Sequence, residues 1–363
     1  MILYLEFQAR GRRGGEVYHQ HLHAYLKKRF PSLQPPELAP LPDNVRSPQQ
    51  QITHCFKLAR ESQPRLVVSD ISSAARNLAA VRHILRSGGQ LMLVVQARPD
   101  PAAGKTWWRR FLAGRCANYL FRNAALAVTN SAFTAGVTRT RAHAALPVVV
   151  APPGLQIAPL AELPAIDDHP GPLRLLYVGE VSRVKGLLPL VEALGRVDTF
   201  DFHLHVIGGH TQETDCYNAV TAATARLNLR ERVTFHGYAE REILNEHYRD
   251  ADILVVPSLS EGYGMVIAEG FCFGLPVIAS AAGAISELVT DQVNGLLVPP
   301  GDPQGLSAAL ARFASDLPMR RAMSAANLEK AKTLPSWDGF DRLLDEQLLP
   351  QIESLIGTAH ERS

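Results

Sequence analysis

In the segment Ser258-Leu-Ser-Glu261-Gly-Tyr-Gly264-Met-Val-Ile-Ala-Glu269-Gly-Phe-Cys-Phe-Gly274-Leu-Pro276-Val277, three kinds of local structure follow one another within twenty residues. The apolar run Ile253 to Val256 before it reads as a strand that ends at Pro257. A glycine-containing turn comes next, and a helix is expected to open near Tyr263 or Gly264. The first amides of a helix have no partner inside it, so they form a site for a phosphate, and the glycines let that phosphate approach the main chain. A further apolar run, Pro276 to Ala279, begins beyond Gly274. Strand, turn, helix and strand in this order make one unit of a parallel sheet, because parallel neighbours need a crossover between them.

The rhythm extends in both directions. After the midpoint, strands are expected at Arg174 to Val178, His203 to Ile207, Val233 to Phe235, Ile253 to Val256, Pro276 to Ala279 and Gly295 to Val298. Before it they fall at Ile2 to Phe7, Leu66 to Val68, Leu91 to Val95, Leu126 to Thr129 and Val148 to Ala151. Segments of helical period lie between the latter, at Glu16 to Phe30, Gln49 to Arg60, Ser72 to Arg86, Thr106 to Phe121 and Ala132 to Ala145. Pro147 to Pro172 holds seven prolines in 26 residues, too many for a helix or an inner strand. The expected architecture is therefore α/β, with two Rossmann-like doubly wound domains facing a central cleft. Residues 1–155 form the first and 173–335 the second, 156–172 are a proline-rich linker, and 336–363 are a C-terminal helix crossing both units and a frayed tail. Ligands of such sheets bind outside the carboxyl ends of the strands.

Composition narrows the class. At 363 residues, 46% apolar and 20% charged, the chain has material for two ordinary cores and excludes a fibrous or disordered protein. Cys55, Cys116, Cys216 and Cys272 are scattered without CxxC pairing and read as buried small apolar residues in a reducing compartment. No run approaches the length needed to span a bilayer, and Met1 to Phe7 reads as a strand rather than a secretion signal, so a cytoplasmic location is expected. The net charge of +2 hides an asymmetry: residues 1–150 carry 21 Lys and Arg against 7 Asp and Glu, the remainder 16 against 28. A basic first half suits an anionic partner such as a phospholipid surface, a polyprenyl phosphate or a nucleic acid. Nucleic acid is the weakest of these, since no recognition module is visible.

Glu261 and Glu269 stand eight residues apart. On a continuous helix that spacing is roughly 12 Å, whereas the acids of a retaining glycosidase sit only about 5 to 5.5 Å apart. The spacing suits one carboxylate on each side of a bound diphosphate. The passage resembles the E-x7-E signature of glycosyltransferase family 4, a retaining family of GT-B fold. Val178-Gly179 with Lys185-Gly186 resembles the family's phosphate-binding loop, Val206-Ile-Gly208-Gly209 its second glycine loop, and Phe235-His236-Gly237-Tyr238 the turn beside the base. Ala282-Gly283-Ala284 through Glu287, and Asn294-Gly295 through Gly301-Asp302, fall in step as well. In the first half, Gly14-Gly15-Glu16 resembles the acceptor-side glycine loop, Val128-Thr-Asn-Ser131 the segment closing the fourth strand, and Pro153-Gly154 the turn ending the domain.

The resemblance implies a glycosyltransferase that moves a sugar from a nucleotide-sugar donor to a glycan or lipid-linked acceptor with retention, in cell-surface polysaccharide or lipid-linked glycan synthesis. It implies no cofactor and no metal. Glu269 would hold the nucleotide ribose, Glu261 the donor sugar, and Lys185 the diphosphate charge, which calls for a fixed cation in a water-poor site. Gly262, Gly264, Met265 and Val266 would offer backbone amides, with Gly179, Gly208, Tyr263, His236 and Tyr238 completing the donor side. Gly14, Gly15, Gln96, Arg98 and Ser131 would face the acceptor. Two positions depart from the family. Glu180 stands where arginine usually follows the loop glycine, and Arg183 is the candidate replacement for its charge. Gln96 occupies a slot that often holds histidine. A nucleotide-sugar epimerase and a non-catalytic nucleotide-sugar binder are therefore the competing readings.

Three further motifs are read as structural. Asp250-Ala-Asp252 spells a metal-binding DxD but precedes a strand, so it is expected to be a helix end with an acid in solvent. The thirteen histidines, including His19, His21 and His23, show no spacing that defines a ligand set. Trp107-Trp108-Arg109-Arg110-Phe111-Leu112 mixes aromatic and basic residues on one helix; a core-facing helix is favoured, with attachment to an anionic membrane surface as the functional alternative.

Overall fold

The computed structural model describes residues 1–5, 14–33, 48–96, 107–164, 166, 171–210 and 214–357. Arg98 lies outside the described residues, as do the last residues of the strand expected to reach Phe7. The chain divides into two compact units, Met1–Gly154 with Pro335–Ser363, and Leu155–Leu334.

The first unit alternates β1 (Ile2–Leu5), α1 (Gly14–Arg29), α2 (Pro48–Ser62), β2 (Leu66–Asp70), α3 (Ala74–Arg86), β3 (Gln90–Val95), α4 (Trp107–Asn123), β4 (Leu126–Thr129), α5 (Ala132–Arg141) and β5 (Val148–Val150). Its strands are parallel in the order β1-β2-β3-β4-β5, running in one direction among the described residues. Near-continuous Val, Ile and Leu runs form them because both faces are covered. One face packs Cys55 and Ala59 of α2, Val81 and Ile84 of α3, and Leu120 and Phe121 of α4. The other packs Tyr18, Leu22, Tyr25 and Leu26 of α1.

The second unit runs β6 (Leu173–Val178), α6 (Leu187–Leu194), β7 (Phe202–Ile207), α7 (Thr214–Arg226), β8 (Val233–Gly237), α8 (Arg241–Asp250), β9 (Ile253–Val256), α9 (Met265–Cys272), β10 (Val277–Ser280), α10 (Ile285–Leu288), β11 (Gly295–Val298), α11 (Pro303–Ser315) and α12 (Leu317–Lys332). The sheet order is β11-β10-β9-β6-β7-β8, all parallel. The order reverses between β6 and β9, so the crevice at their carboxyl ends is the topological switch point.

Two stretches outside the sheets are placed as follows. The C-terminal segment expected as an element of its own clusters with the first unit. α13 (Trp337–Leu343), a π-helical turn (Leu344–Leu348) and α14 (Leu349–Gly357) are built into the first unit. Phe340, Leu344, Leu348 and Ile352 recur every fourth residue or so and are buried with Ile2, Tyr4 and Val68. Tyr25 donates to Asp345 at 2.7 Å, and Arg29 pairs with the same carboxylate. In the proline-rich linker region, Leu155, Ile157 and Leu160 pack on the second unit, and the Leu160 amide donates to Cys272 O at 2.8 Å. Proline density forbids a helix there but not an extended strap.

Cys55 and Cys272 are buried and all four cysteines are free thiols, but Cys116 and Cys216 are only partly covered, contrary to the expectation for all four. Among the described residues no helix is long and apolar enough to cross a membrane.

Candidate functional site

At the switch point the loops leaving four strands converge. Gly179 continues β6 with φ +155, and Gly208 continues β7 with φ +149. A Cβ on Gly208 would fall 1.9 Å from Gly179 O, so the two loops touch backbone to backbone and only glycine fits. The Val181 amide donates to Gly209 O at 2.8 Å and the Leu259 amide to Val184 O at 2.7 Å, tying the β6 loop to its neighbours on both sides. Gly186, at φ +71, presses on Pro257 O, where a Cβ would sit at 1.9 Å. This sets the lysine that precedes it.

Lys185 Nζ donates to Glu261 Oε2 at 2.6 Å, and Ser258 Oγ lies 3.4 Å from the same oxygen. Glu261 is held from behind by Gly283, at φ +63, whose Cβ would stand 2.1 Å from Glu261 O, and the Ala284 amide donates to that carbonyl at 3.0 Å. α9 opens one residue later than the latest start expected, with Gly264 as its N-cap in the left-handed region at φ +101. The amides of Met265 and Val266 precede Ile267 and Ala268, which bond back to Gly264 O. A fixed cation, a carboxylate and helix-start amides therefore meet at one crevice, which suits an anionic ligand carrying hydroxyl groups.

Glu269 is different in kind. It lies inside α9, 6% exposed, and its two oxygens accept from Arg241 at 3.0 Å and from the Tyr248 hydroxyl at 3.0 Å. Burial raises its carboxyl above the ordinary 4.5, against the lowering effects of Arg241 and the Tyr248 hydrogen bond. Burial wins because the guanidinium is itself 37% exposed and water screens it. Sequence reasoning missed Arg241 and Tyr248. Their seven-residue spacing places both on one face of α8, a pattern visible beforehand, but nothing in the sequence says which element that face meets.

The other expected donor-side residues divide. Gly262 and Tyr263 are buried, and Tyr263 packs into the core with its hydroxyl pushed up to about 12, chiefly by burial, so it positions the loop rather than offering a side chain. Met265 and Val266 are partly buried against the same core. Arg183 is exposed, within a short helical turn with Lys185, and Glu180 is half-buried. Tyr238 is 54% exposed after Gly237, whose carbonyl accepts from the Gly208 amide at 2.7 Å.

His236 is not aimed at the convergent loops. Its Nε2 lies 3.0 Å from His205 Nδ1, with His247 beside both, and the three offer ligand atoms all within 4.8 Å of one another. The histidine spacing in the sequence gives no sign of this cluster. The three come from separate elements, so no sequence spacing could reveal them. His19, by contrast, is buried between the Tyr4 hydroxyl at 2.8 Å and Asp70 at 3.1 Å, and His21 stacks on Trp337. Asp250 is the exposed end of α8, as expected of the DxD, while Asp252 accepts from the Arg174 amide and guanidinium, each at 2.7 Å, and closes β6 onto β9.

On the acceptor side, Gly14 and Gly15 open α1 itself rather than forming a loop. Ser131 is buried as the N-cap of α5, accepting from the Thr134 amide at 3.1 Å. Gln96 sits at the carboxyl end of β3, where its carbonyl accepts from Asn130 Nδ2 at 2.6 Å and its own amide nitrogen is buried without a partner.

The fold and this crevice define a GT-B protein, two parallel-sheet Rossmann-like units in one chain. Sucrose-phosphate synthase from Thermosynechococcus elongatus superposes with a TM-score of 0.77 at 21% identity, over 97% of this chain and 99% of that one. HepE of Anabaena in complex with UDP-glucose gives 0.74 at 18% identity, over 96% and 98%. Residues 172–316 match the family described as Glycosyl transferases group 1. A D-inositol 3-phosphate glycosyltransferase of Xylanimonas cellulosilytica is 35% identical over 164 residues, 45% of this chain and 39% of that protein. An uncharacterized glycosyltransferase of Methanocaldococcus jannaschii is 28% identical over 171 residues, 46% and 42% of the two chains. This chain spans less than half the length of the curated relatives it matches.

Proposed function

We propose that this protein is a metal-independent, retaining glycosyltransferase of family 4 that moves a hexosyl group from a nucleotide-sugar to a glycan or lipid-linked acceptor. The observation that carries the reading is the Lys185–Glu261 pair at the β6/β9 switch point. Lys185 answers the charge on the diphosphate as the glycosidic bond breaks, and the Met265 and Val266 amides share it. Glu261, shaped by Gly283 and joined to Lys185, receives the donor sugar hydroxyls. Glu269 uses the lone pairs left by Arg241 and Tyr248 for the ribose, since a carboxylate can accept about four hydrogen bonds. No side chain here is assigned as a covalent nucleophile; the acceptor hydroxyl attacks on the face that the diphosphate leaves, and a phosphate oxygen takes its proton. The basic first unit is assigned to the acceptor, as part of polysaccharide or lipid-linked glycan synthesis at the cytoplasmic membrane face.

A thermal-shift series with UDP, GDP, ADP and TDP identifies the base, because a ligand of the native state raises apparent stability. Release of that diphosphate from the matching nucleotide-sugar, dependent on acceptor and yielding a product of unchanged anomeric configuration by NMR, tests the reaction. An epimerised donor formed without acceptor, or tight donor binding without transfer to any acceptor, refutes it.

A further inference from the structure

His205 on β7, His236 on β8 and His247 on α8 are brought together by features that the donor crevice does not use. Along the β7–β8 ladder His205 faces Thr234 and Val206 faces Phe235, but Ile207 faces Gly237, so His236 is the extra residue of a bulge. A bulge re-aims the side chain it carries. Here it accompanies an imidazole turned to the face where His205 projects and α8 packs. Ring centroids lie 5.3 Å apart for His205–His236, 5.8 Å for His205–His247 and 4.5 Å for His236–His247.

We propose that these three imidazoles form a binding site for a divalent late first-row transition metal ion, of which zinc is the representative to test. Imidazole nitrogen is the ligand that zinc, copper and nickel share, and magnesium or calcium would need oxygen ligands that this set lacks. A tetrahedral zinc with Zn–N bonds of about 2.0 to 2.1 Å holds its nitrogens about 3.4 Å apart. The His205–His236 pair, at 3.0 Å, needs to open slightly, and no ligand atom starts more than 4.8 Å from another. Torsion about the imidazole side chains covers such a difference without moving the backbone. Among the described residues the His247 ring makes no hydrogen bond, its carbonyl alone accepting from the Ala251 amide at 3.2 Å, so a ring nitrogen is available for coordination.

Burial, then the neighbouring His203, His236 and His247, push His205 down to about 4, and His236 is lowered by burial and by His247 and His203. Three protein ligands leave a coordination position for water or an exogenous group, and His236 is exposed, so solvent reaches it. The site shares no residue with Lys185, Glu261 or Glu269. Its occupancy would pin α8 to the edge of the sheet.

The full chain, stripped with a chelator and dialysed, is titrated with zinc by calorimetry at neutral pH, with cobalt absorption as a spectroscopic readout of coordination. The expected result is one ion per chain, a higher Tm with saturating zinc, and tetrahedral cobalt bands. His205→Ala and His247→Ala should each weaken zinc binding at least about tenfold, as loss of even an outer-shell partner does. Should His205→Ala fail to fold, His247→Gln, on the partly exposed side of α8, carries the test alone. No zinc binding, or zinc binding undiminished by the His247 substitution, overturns the proposal.

Discussion

Lys185 Nζ donates to Glu261 Oε2 at 2.6 Å, joining the loop after β6 to the loop after β9 across the reversal of strand order. The lysine side chain is 33% exposed and the glutamate 14%, so water screens the pair in part and the lysine is available to a ligand. Lys185→Ala is therefore expected to leave the unfolding midpoint within a few degrees while lowering kcat by about 10²- to 10³-fold, the usual loss for one preorganised donor at a developing charge. A variant with wild-type kcat would remove Lys185 from the mechanism.

Arg183 is exposed two residues before Lys185 in the same short helical turn, and Glu180 follows the loop glycine. If Arg183 supplies the charge that Glu180 does not, Arg183→Ala should raise the nucleoside diphosphate Kd by about tenfold, the upper end for one solvent-screened charge contact. Unchanged affinity in a thermal-shift titration would leave Lys185 as the cation that meets the diphosphate.

Glu269 carries a pH signature. Its folded carboxyl is raised above the ordinary 4.5, chiefly by burial, so the native state holds its proton more tightly than the unfolded chain does. Its contribution is fully present below 4.5 and is lost as pH rises through the higher folded value. Urea unfolding of the wild type should show that falling component just above pH 4.5, and Glu269→Gln should lack it. Identical slopes in the two proteins would mean that Arg241 and Tyr248 offset the burial completely.

Gly283 tests how far backbone contact shapes the site. Alanine there would combine φ +63 with a Cβ 2.1 Å from Glu261 O. The left-handed conformation alone costs about 1 to 2 kcal/mol, and displacement of Glu261 adds to it. Gly283→Ala should destabilise the chain by ~2 to 4 kcal/mol in denaturant melts and reduce turnover more than nucleotide binding. Gly209→Ala, which meets open space, should do neither.

Strand positions and the convergent loops were legible because they follow from local chemistry. Buried parallel strands read as runs of Val, Ile and Leu, and Ile253 to Val256, Leu126 to Thr129 and Gly295 to Val298 match the observed strands at both ends. The Glu261–Lys185 contact was legible only as two motifs, 76 residues apart, that a Rossmann order brings together. Arg241, Tyr248 and the histidine cluster were not legible, because each depends on which face of α8 meets the sheet. Of the DxD, the exposed helix end at Asp250 was legible, whereas Asp252 finds Arg174 only through the pairing of β6 with β9.

The C-terminal segment offers the largest stability effect. Phe340, Leu344, Leu348 and Ile352 are at most 1% exposed within the first unit's core, although they follow the whole second unit in sequence. Burying each such side chain is worth about 1.5 to 3 kcal/mol, so removing all four forfeits about 6 to 12 kcal/mol, as much as the stability of an ordinary domain. Their loss would also open the apolar faces of Tyr18 and Leu22 to water. A chain ending at residue 335 should therefore fail to fold its first unit, while the second retains its own core of Leu175, Val206 and Ile278. Limited proteolysis should then leave a resistant fragment close to 155–334 with the first unit digested. A truncated chain in which both units resist protease alike would show that the first unit is held by its sheet and α1 to α5 alone.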